Sequence, residues 1–311
     1  MKYWIAILGL LLLPVFALAA AEPSLPGLAQ KNITGRDLKL GRVLAANGKY
    51  TRYYITYYSG SLKISGIINV PKGRGPFPVL VLNHGYINPK IYTNGRGLKR
   101  EQDYLARRGY VVIHPDYRDH ADSDRDNDTE AGFRLGFVED AIAAVLAVKA
   151  SPLTFFNKEA VGMLGHSMGG GVVLNVLVTR PELVKAAVLF APVSADYRDN
   201  FTRWLWRRKG NPGVAERVIA LYGSPEANPE FWSRLSAINY LDKIQAPVLI
   251  QHGTADRSVP LAWSRRLDLA LKKAGKEVSF FQYPGEPHEF AGAWPIVMAR
   301  TVKFFDRYLK P

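Results

Sequence analysis

The chain has 311 residues, 48% of them hydrophobic, with no cysteine, a formal net charge of +14 and a pI near 9.8. That length and apolar content exclude a disordered or fibrous chain, and the lack of cysteine excludes disulfide staples and a cysteine-borne lipid anchor, so stability must come from packing. The charge would suit an anionic surface, but the basic residues are dispersed; the densest cluster, Arg203 to Lys209, is interleaved with Trp204, Leu205 and Trp206 and no nucleic-acid motif accompanies it, so a solvated basic surface and no nucleic-acid partner are expected.

Residues 1–20 have the layout of a secretory signal peptide: Lys2 for charge, an apolar stretch from Trp4 to Val15, and Ala17-Leu18-Ala19 as a small-residue pattern, with cleavage near Ala19 to Ala21. The stretch is shorter than a membrane span and is broken by Pro14, so the expectation is export to periplasm or medium, without stable membrane insertion afterwards. Residues 21–311 read as a single α/β domain. Up to about Asn47 the polarity is mixed and without period, which predicts an irregular lead-in. Arg52 to Tyr58 and Leu62 to Val70 are rich in strand formers and meet at Gly60-Ser61, which predicts a hairpin. The pattern then changes to continuous apolar runs: Pro78 to Asn83, Tyr110 to Ile113, Ala160 to Gly165, Ala186 to Phe190, Ala246 to Gln251 and Val278 to Tyr283. Such runs are expected of strands covered on both faces. Helical periods fall between them, at Gly97 to Arg108, Gly136 to Ala150, from Val172 onward, at Ser264 to Ala274 and at Ile296 to Leu309. Antiparallel strands followed by repeated strand-helix units predict a mostly parallel, doubly wound sheet. One segment breaks the alternation: Ala191 to Leu241 is long, aromatic and basic. It is expected to be an inserted helical cap, about residues 192–241, above the carboxyl ends of the strands, with one or two of its aromatic rings lining a pocket.

The chemistry centres on Gly165-His166-Ser167-Met168-Gly169, where a buried strand meets a helix through a sharp turn with Ser167 at its tip. A serine hydroxyl needs a histidine base oriented by a carboxylate, and on such a sheet the order is serine, acid, histidine, each after a strand. Two histidines follow Ser167; His252 ends a strand, whereas His288 lies between the last strand and the last helix. Asp256 stands in the loop just beyond His252, so Asp256 and His288 occupy the required places. Asp242 precedes its strand, and Glu286 and Glu289 flank His288 too closely to orient it. The oxyanion donors are expected to be the amides of Met168, the residue after the nucleophile, and Tyr86, in the loop after the early buried strand, where Gly85 permits close approach. His84 and His166 are read as structural. The acidic run Asp122 to Glu130 has alternating carboxylates, but Asn127 and Phe133 stand where a calcium loop has its glycine and closing glutamate, so a solvated or capping loop without metal is expected. Three glycosylation sequons begin at Asn32, Asn127 and Asn200.

Gly165-His166-Ser167-Met168-Gly169-Gly170, His252 to Pro260 and Tyr283 to His288 resemble the catalytic domain of the prolyl oligopeptidase family, as do Tyr222 to Pro225, Ser236 to Tyr240 and Ala246-Pro247-Val248. The resemblance spans roughly residues 75 to 311. It implies an α/β-hydrolase fold, Ser167 as nucleophile, Asp256 as acid, His288 as base, and no cofactor. Family peptidases commonly carry an amino-terminal propeller, and the preceding residues here are too few for one. The His-Ser-Met-Gly surroundings are equally at home among esterases and lipases, and no acidic motif of the aminopeptidase kind precedes them. The expectation is a secreted serine hydrolase acting on a small ester or short peptide through an acyl-enzyme, peptidase first and carboxylesterase as the alternative. The alternative from another class is a non-catalytic binder of a surface polymer or membrane. Oligomeric state stays open.

Overall fold

The computed structural model describes residues 22–126, 129, 132–206 and 212–310; the expected signal segment, Asn127 and much of the Arg203 to Lys209 cluster lie outside them. Nine strands form one sheet: β1 (Gly35–Ala46), β2 (Tyr50–Ser59), β3 (Leu62–Pro71), β4 (Phe77–Asn83), β5 (Val111–Pro115), β6 (Phe156–His166), β7 (Ala186–Phe190), β8 (Val248–Gly253) and β9 (Val278–Tyr283), in the order β1-β2-β3-β5-β4-β6-β7-β8-β9. The pairs from β1 to β5 along this order are antiparallel, and every pair from β5 through β9 is parallel. The expected mostly parallel, doubly wound sheet with antiparallel strands at its amino-terminal edge is therefore present.

The unbroken apolar runs have a direct cause. Val79 and Val81 of β4 enter one core, with α3 (Leu135–Ala150), α4 (Met168–Thr179) and α8 (Leu261–Lys273), while Leu80 and Leu82 enter a second core under α2 (Lys99–Ala106) and α9 (Trp294–Leu309). Side chains of a strand alternate between faces, so two cores need apolar residues at every position.

The lead-in before Asn47 is not irregular. Ser24 caps a helix, α1 (Leu25–Gln30), through its Oγ and the Gly27 N–H at 3.1 Å, and Leu25 and Leu28 of that helix are buried. The twelve residues of β1 follow, pairing with β2 through several register shifts. Leu38 is the one buried side chain of β1. Leu40 is half-buried against the same core, and from Gly41 to Ala46 every residue is exposed, so the hydrophobic alternation is too short to read as a strand.

Between β7 and β8 the chain forms α5 (Tyr197–Asn200), a π-helical segment at Phe201–Trp206, α6 (Pro212–Tyr222) and α7 (Pro229–Arg234). Phe201, Phe231 and Trp232 are buried, with Trp232 fully enclosed and its Nε1–H donating to the Gly223 carbonyl at 3.2 Å. Among the described residues no helix is long and apolar enough to cross a membrane.

Candidate active site

The parallel strands bring their carboxyl ends to one rim. Asn83 of β4 is in register with Gly165 of β6, His166 with Phe190 of β7, Phe190 with Gln251 of β8, and Gly253 with Tyr283 of β9. The loops that follow these positions carry His84 to Tyr86, Ser167, Asp256 and His288. Ser167 turns from β6 into α4 with φ 56° and ψ −118°, a conformation that costs an ordinary residue energy and must be held by its surroundings. Its N–H donates to the Phe190 carbonyl at 2.9 Å, and its carbonyl accepts from Gly170 at 3.0 Å and Val193 at 3.1 Å. The two flanking glycines are required by proximity: a Cβ at Gly165 would lie 2.2 Å from the Gly169 carbonyl oxygen, and one at Gly169 would lie 1.9 Å from that of Asn83. Strand, turn and helix thus meet with no room for side chains, and the amino terminus of α4 points its N–H groups toward the serine.

Asp256 and His288 are joined. The His288 Nδ1–H donates to Asp256 Oδ2 at 2.6 Å, and the Asp256 side chain is fully buried. Asp256 Oδ1 accepts from the Ser258 N–H at 2.8 Å and the Val259 N–H at 2.9 Å. Burial by itself would raise this carboxyl, but hydrogen bonds from His252, His288 and the Val259 N–H outweigh it and hold it well below the usual carboxylate range. With Nδ1 committed to the carboxylate, Nε2 is the other ring nitrogen of His288, and the residue lines the cavity described below. His166 packs against His288 at 4.4 Å between ring centroids, and its Nε2–H donates to the His288 carbonyl at 3.2 Å. Burial and the neighbouring His288 charge lower His166 to about 4, which keeps it neutral near pH 7. It supports the histidine loop from behind the serine.

The loop after β4 lies against the serine: a Cβ built on Gly85 would come 3.2 Å from the Ser167 Cβ. His84 Nδ1 is 2.7 Å from the Gly85 carbonyl, and the ring sits in a buried cluster with Tyr92, His114, Tyr117 and His120. Below it, the buried Asp116 carboxylate accepts from Ser65 Oγ at 2.6 Å, Asn94 Nδ2 at 2.7 Å, Gly95 N at 2.7 Å and Tyr92 Oη at 2.9 Å. This network anchors the loop that presents Tyr86, and nothing in the sequence pattern distinguished its members from ordinary core residues.

Ser167, Met168, Tyr86 and His288 all line one cavity of about 400 Å³. Asp256 stands behind His288, outside the lining. The lining includes the apolar Val138, Val172, Leu174 and Leu235, the aromatic Tyr197 and Trp204 of the segment after β7, and the charged Arg134 and Glu289. Arg203 ties that segment to the loop that carries Asp256, donating to the carbonyls of Ser258 at 2.9 Å and Arg257 at 3.1 Å. Asn200 also lines the cavity, and its amide is engaged with the Ser194 backbone at 2.9 and 3.0 Å, so this sequon asparagine is part of the fold. Among the described residues, His166, His288 and Glu289 are the one group whose ligand atoms gather within 4.8 Å, yet His166 Nε2 and His288 Nδ1 are already donors. In the acidic run, Asp124 accepts from the Lys63 N–H at 2.7 Å and Asp126 pairs with Arg118 at 2.7 Å; positions 127, 128 and 130 lie outside the described residues.

Comparison with known proteins agrees with this architecture. The profile of the prolyl oligopeptidase family matches residues 96–311. The chain is 28% identical over 259 residues to the uncharacterized peptidase YtmA of Bacillus subtilis strain 168, covering 83% of this chain and 93% of that protein. It is 25% identical over 248 residues to a putative carboxymethylenebutenolidase of Synechocystis, covering 76% and 85%. The acylaminoacyl peptidase of Pyrococcus horikoshii superposes with a TM-score of 0.68 at 22% identity, over 84% of this chain and 42% of that one, so this chain spans less than half of that peptidase. The chain belongs to the prolyl oligopeptidase family, has the α/β-hydrolase fold and is a serine hydrolase.

Proposed function

We propose that this enzyme hydrolyses acyl bonds through Ser167, His288 and Asp256, with a covalent acyl-enzyme. Ser167 Oγ attacks the substrate carbonyl carbon while His288 Nε2 takes the hydroxyl proton. The oxyanion of the tetrahedral intermediate is held by the amides of Met168 and Tyr86. The intermediate collapses as His288 returns the proton to the departing alcohol or amine, leaving the acyl group on Ser167. Water, deprotonated by the same imidazole, then attacks the ester carbonyl; the acyl–Oγ bond breaks as His288 returns the proton to Ser167 Oγ, and the acid departs. Asp256 remains a carboxylate throughout, orienting His288 and balancing its charge.

The observation that carries this reading is the shared cavity: Ser167 and His288 line it together, and His288 is bonded to a buried carboxylate on the far side. The apolar and aromatic side chains of the lining suit an apolar acyl group or residue side chain. Within that chemistry a short-peptide substrate is the first reading, supported by the family. A carboxylic ester is the second, supported by the similarity to a putative carboxymethylenebutenolidase. Parallel assays on p-nitrophenyl acyl esters and on aminoacyl or peptidyl anilides separate them. Turnover of anilides supports the peptidase; ester turnover with no anilide cleavage at high enzyme concentration assigns an esterase. The layout of residues 1–20 supports export, and the amino-terminal sequence of the secreted protein tests it: a start near residue 20 to 22 is expected.

A further inference from the structure

His252 ends β8 and is wholly buried, four residues before the acid. Its Nε2 faces two oxygens, the Asp256 Oδ2 at 3.0 Å and the Val259 carbonyl at 3.2 Å. Both are acceptors, so the ring hydrogen belongs on Nε2. Nδ1 then accepts from the hydroxyl of Ser264, 2.7 Å away in the first turn of α8 and also fully buried. Asp256 Oδ2 is therefore shared by two imidazoles, His252 on one side and His288 on the other, while Oδ1 takes two backbone N–H groups. The one Nε2–H of His252 is shared between Oδ2 and the Val259 carbonyl, so three full donors and this shared one surround the carboxylate and limit its rotation.

We propose that His252 is a positioning residue that clamps Asp256 from behind, with Ser264 setting the tautomer that lets it do so. The inference rests on the reading of Asp256 and His288 as acid and base. His252 touches no substrate; it keeps Oδ2 turned toward His288 Nδ1. A histidine that served only to hold β8 against α8 would affect stability and leave the acid-base pair unchanged.

The test compares His252→Leu, His252→Gln and Ser264→Ala on a p-nitrophenyl ester, with proton NMR of the low-field imidazole N–H that His288 shares with Asp256. Leucine removes the donor, and kcat is expected to fall roughly tenfold or more, the effect of losing a hydrogen bond to a buried charge, with KM within about twofold. Glutamine places an amide N–H where Nε2 was and should recover most of kcat and the wild-type resonance. Ser264→Ala should lower kcat severalfold in the wild type and not at all in the His252→Leu background, because it acts only through the ring. Folded His252→Leu with unchanged kcat and an unmoved His288 resonance would overturn the proposal, as would a glutamine variant no better than leucine. If His252→Leu does not fold, Ser264→Ala decides: a shifted resonance supports the clamp, and an unshifted one refutes it. Fluorophosphonate labelling of wild type is read alongside. Labelling confined to Ser167 makes any failure that of the clamp alone; labelling elsewhere brings down the triad reading and the clamp with it.

Discussion

Acidification should destabilise this protein through its buried histidines, beginning near pH 6.5. His84, His114 and His166 are buried as neutral rings. Burial, and then the charge of His120, lowers His84 to about 4; burial and His288 lower His166 to about 4; burial and His84 hold His114 well below the ordinary value. An unfolded chain binds these three protons near pH 6.5, whereas the folded protein does not bind them until far lower pH. Stability is thus undiminished above pH 6.5 and falls as the pH drops toward 4. For His84 and His166 the gap is about 2.5 units, roughly 3 kcal/mol each at about 1.4 kcal/mol per unit, and His114 adds to this. With three protons involved, the slope approaches about 4 kcal/mol per pH unit and the loss reaches on the order of 10 kcal/mol by pH 4, comparable with a typical stability of about 5–15 kcal/mol. Urea unfolding followed by tryptophan fluorescence at pH 7.5, 6.5, 5.5 and 5.0 measures it. A stability that changes by less than about 1 kcal/mol between pH 7 and 5 would refute the reasoning. His114→Leu is the internal control. Among the described residues both its ring nitrogens lack a hydrogen-bond partner, so removing them should leave stability at pH 7 equal or higher and reduce the acid slope by about one third.

Asp256→Asn puts an amide NH₂ or a weaker acceptor where two imidazole N–H groups converge; kcat should fall by about 10⁴, with the protein still folded, as shown by single-turnover assay and circular dichroism. Gly169→Ala would set a methyl 1.9 Å from the Asn83 carbonyl oxygen and should cost ~3 kcal/mol or more, read as insolubility or a large fall in Tm. Trp232→Ala empties a fully buried site 4.5 Å from the Phe201 ring; a loss of about 3–5 kcal/mol is expected in urea unfolding, with KM rising as the cavity wall loosens.

The parallel half of the sheet was legible because each strand feeds two cores and therefore reads as an unbroken apolar run, as in Val79 to Leu82. The hairpin of β2 and β3 was legible from its turn. β1 was not, since only Leu38 and Leu40 of its large apolar side chains pack on the core and the rest of the strand is held by backbone bonding to β2. Chain order sufficed to nominate Asp256 and His288, because loops after parallel strands all meet at one rim. It gave no reason to single out His252, whose part depends on a 3.0 Å approach between residues four apart in sequence. The Asp116 network and the histidine cluster under Tyr86 join residues from Ser65 to His120, and only the folded sheet brings them together.

Every step of the proposed reaction starts from Ser167 as the nucleophile. Intact-mass and peptide-mapping measurement after reaction with a fluorophosphonate tests it most directly. One adduct per chain is expected, on Ser167, and none on Ser167→Ala. An unlabelled wild type, or an adduct that persists in the Ser167→Ala protein, would contradict it.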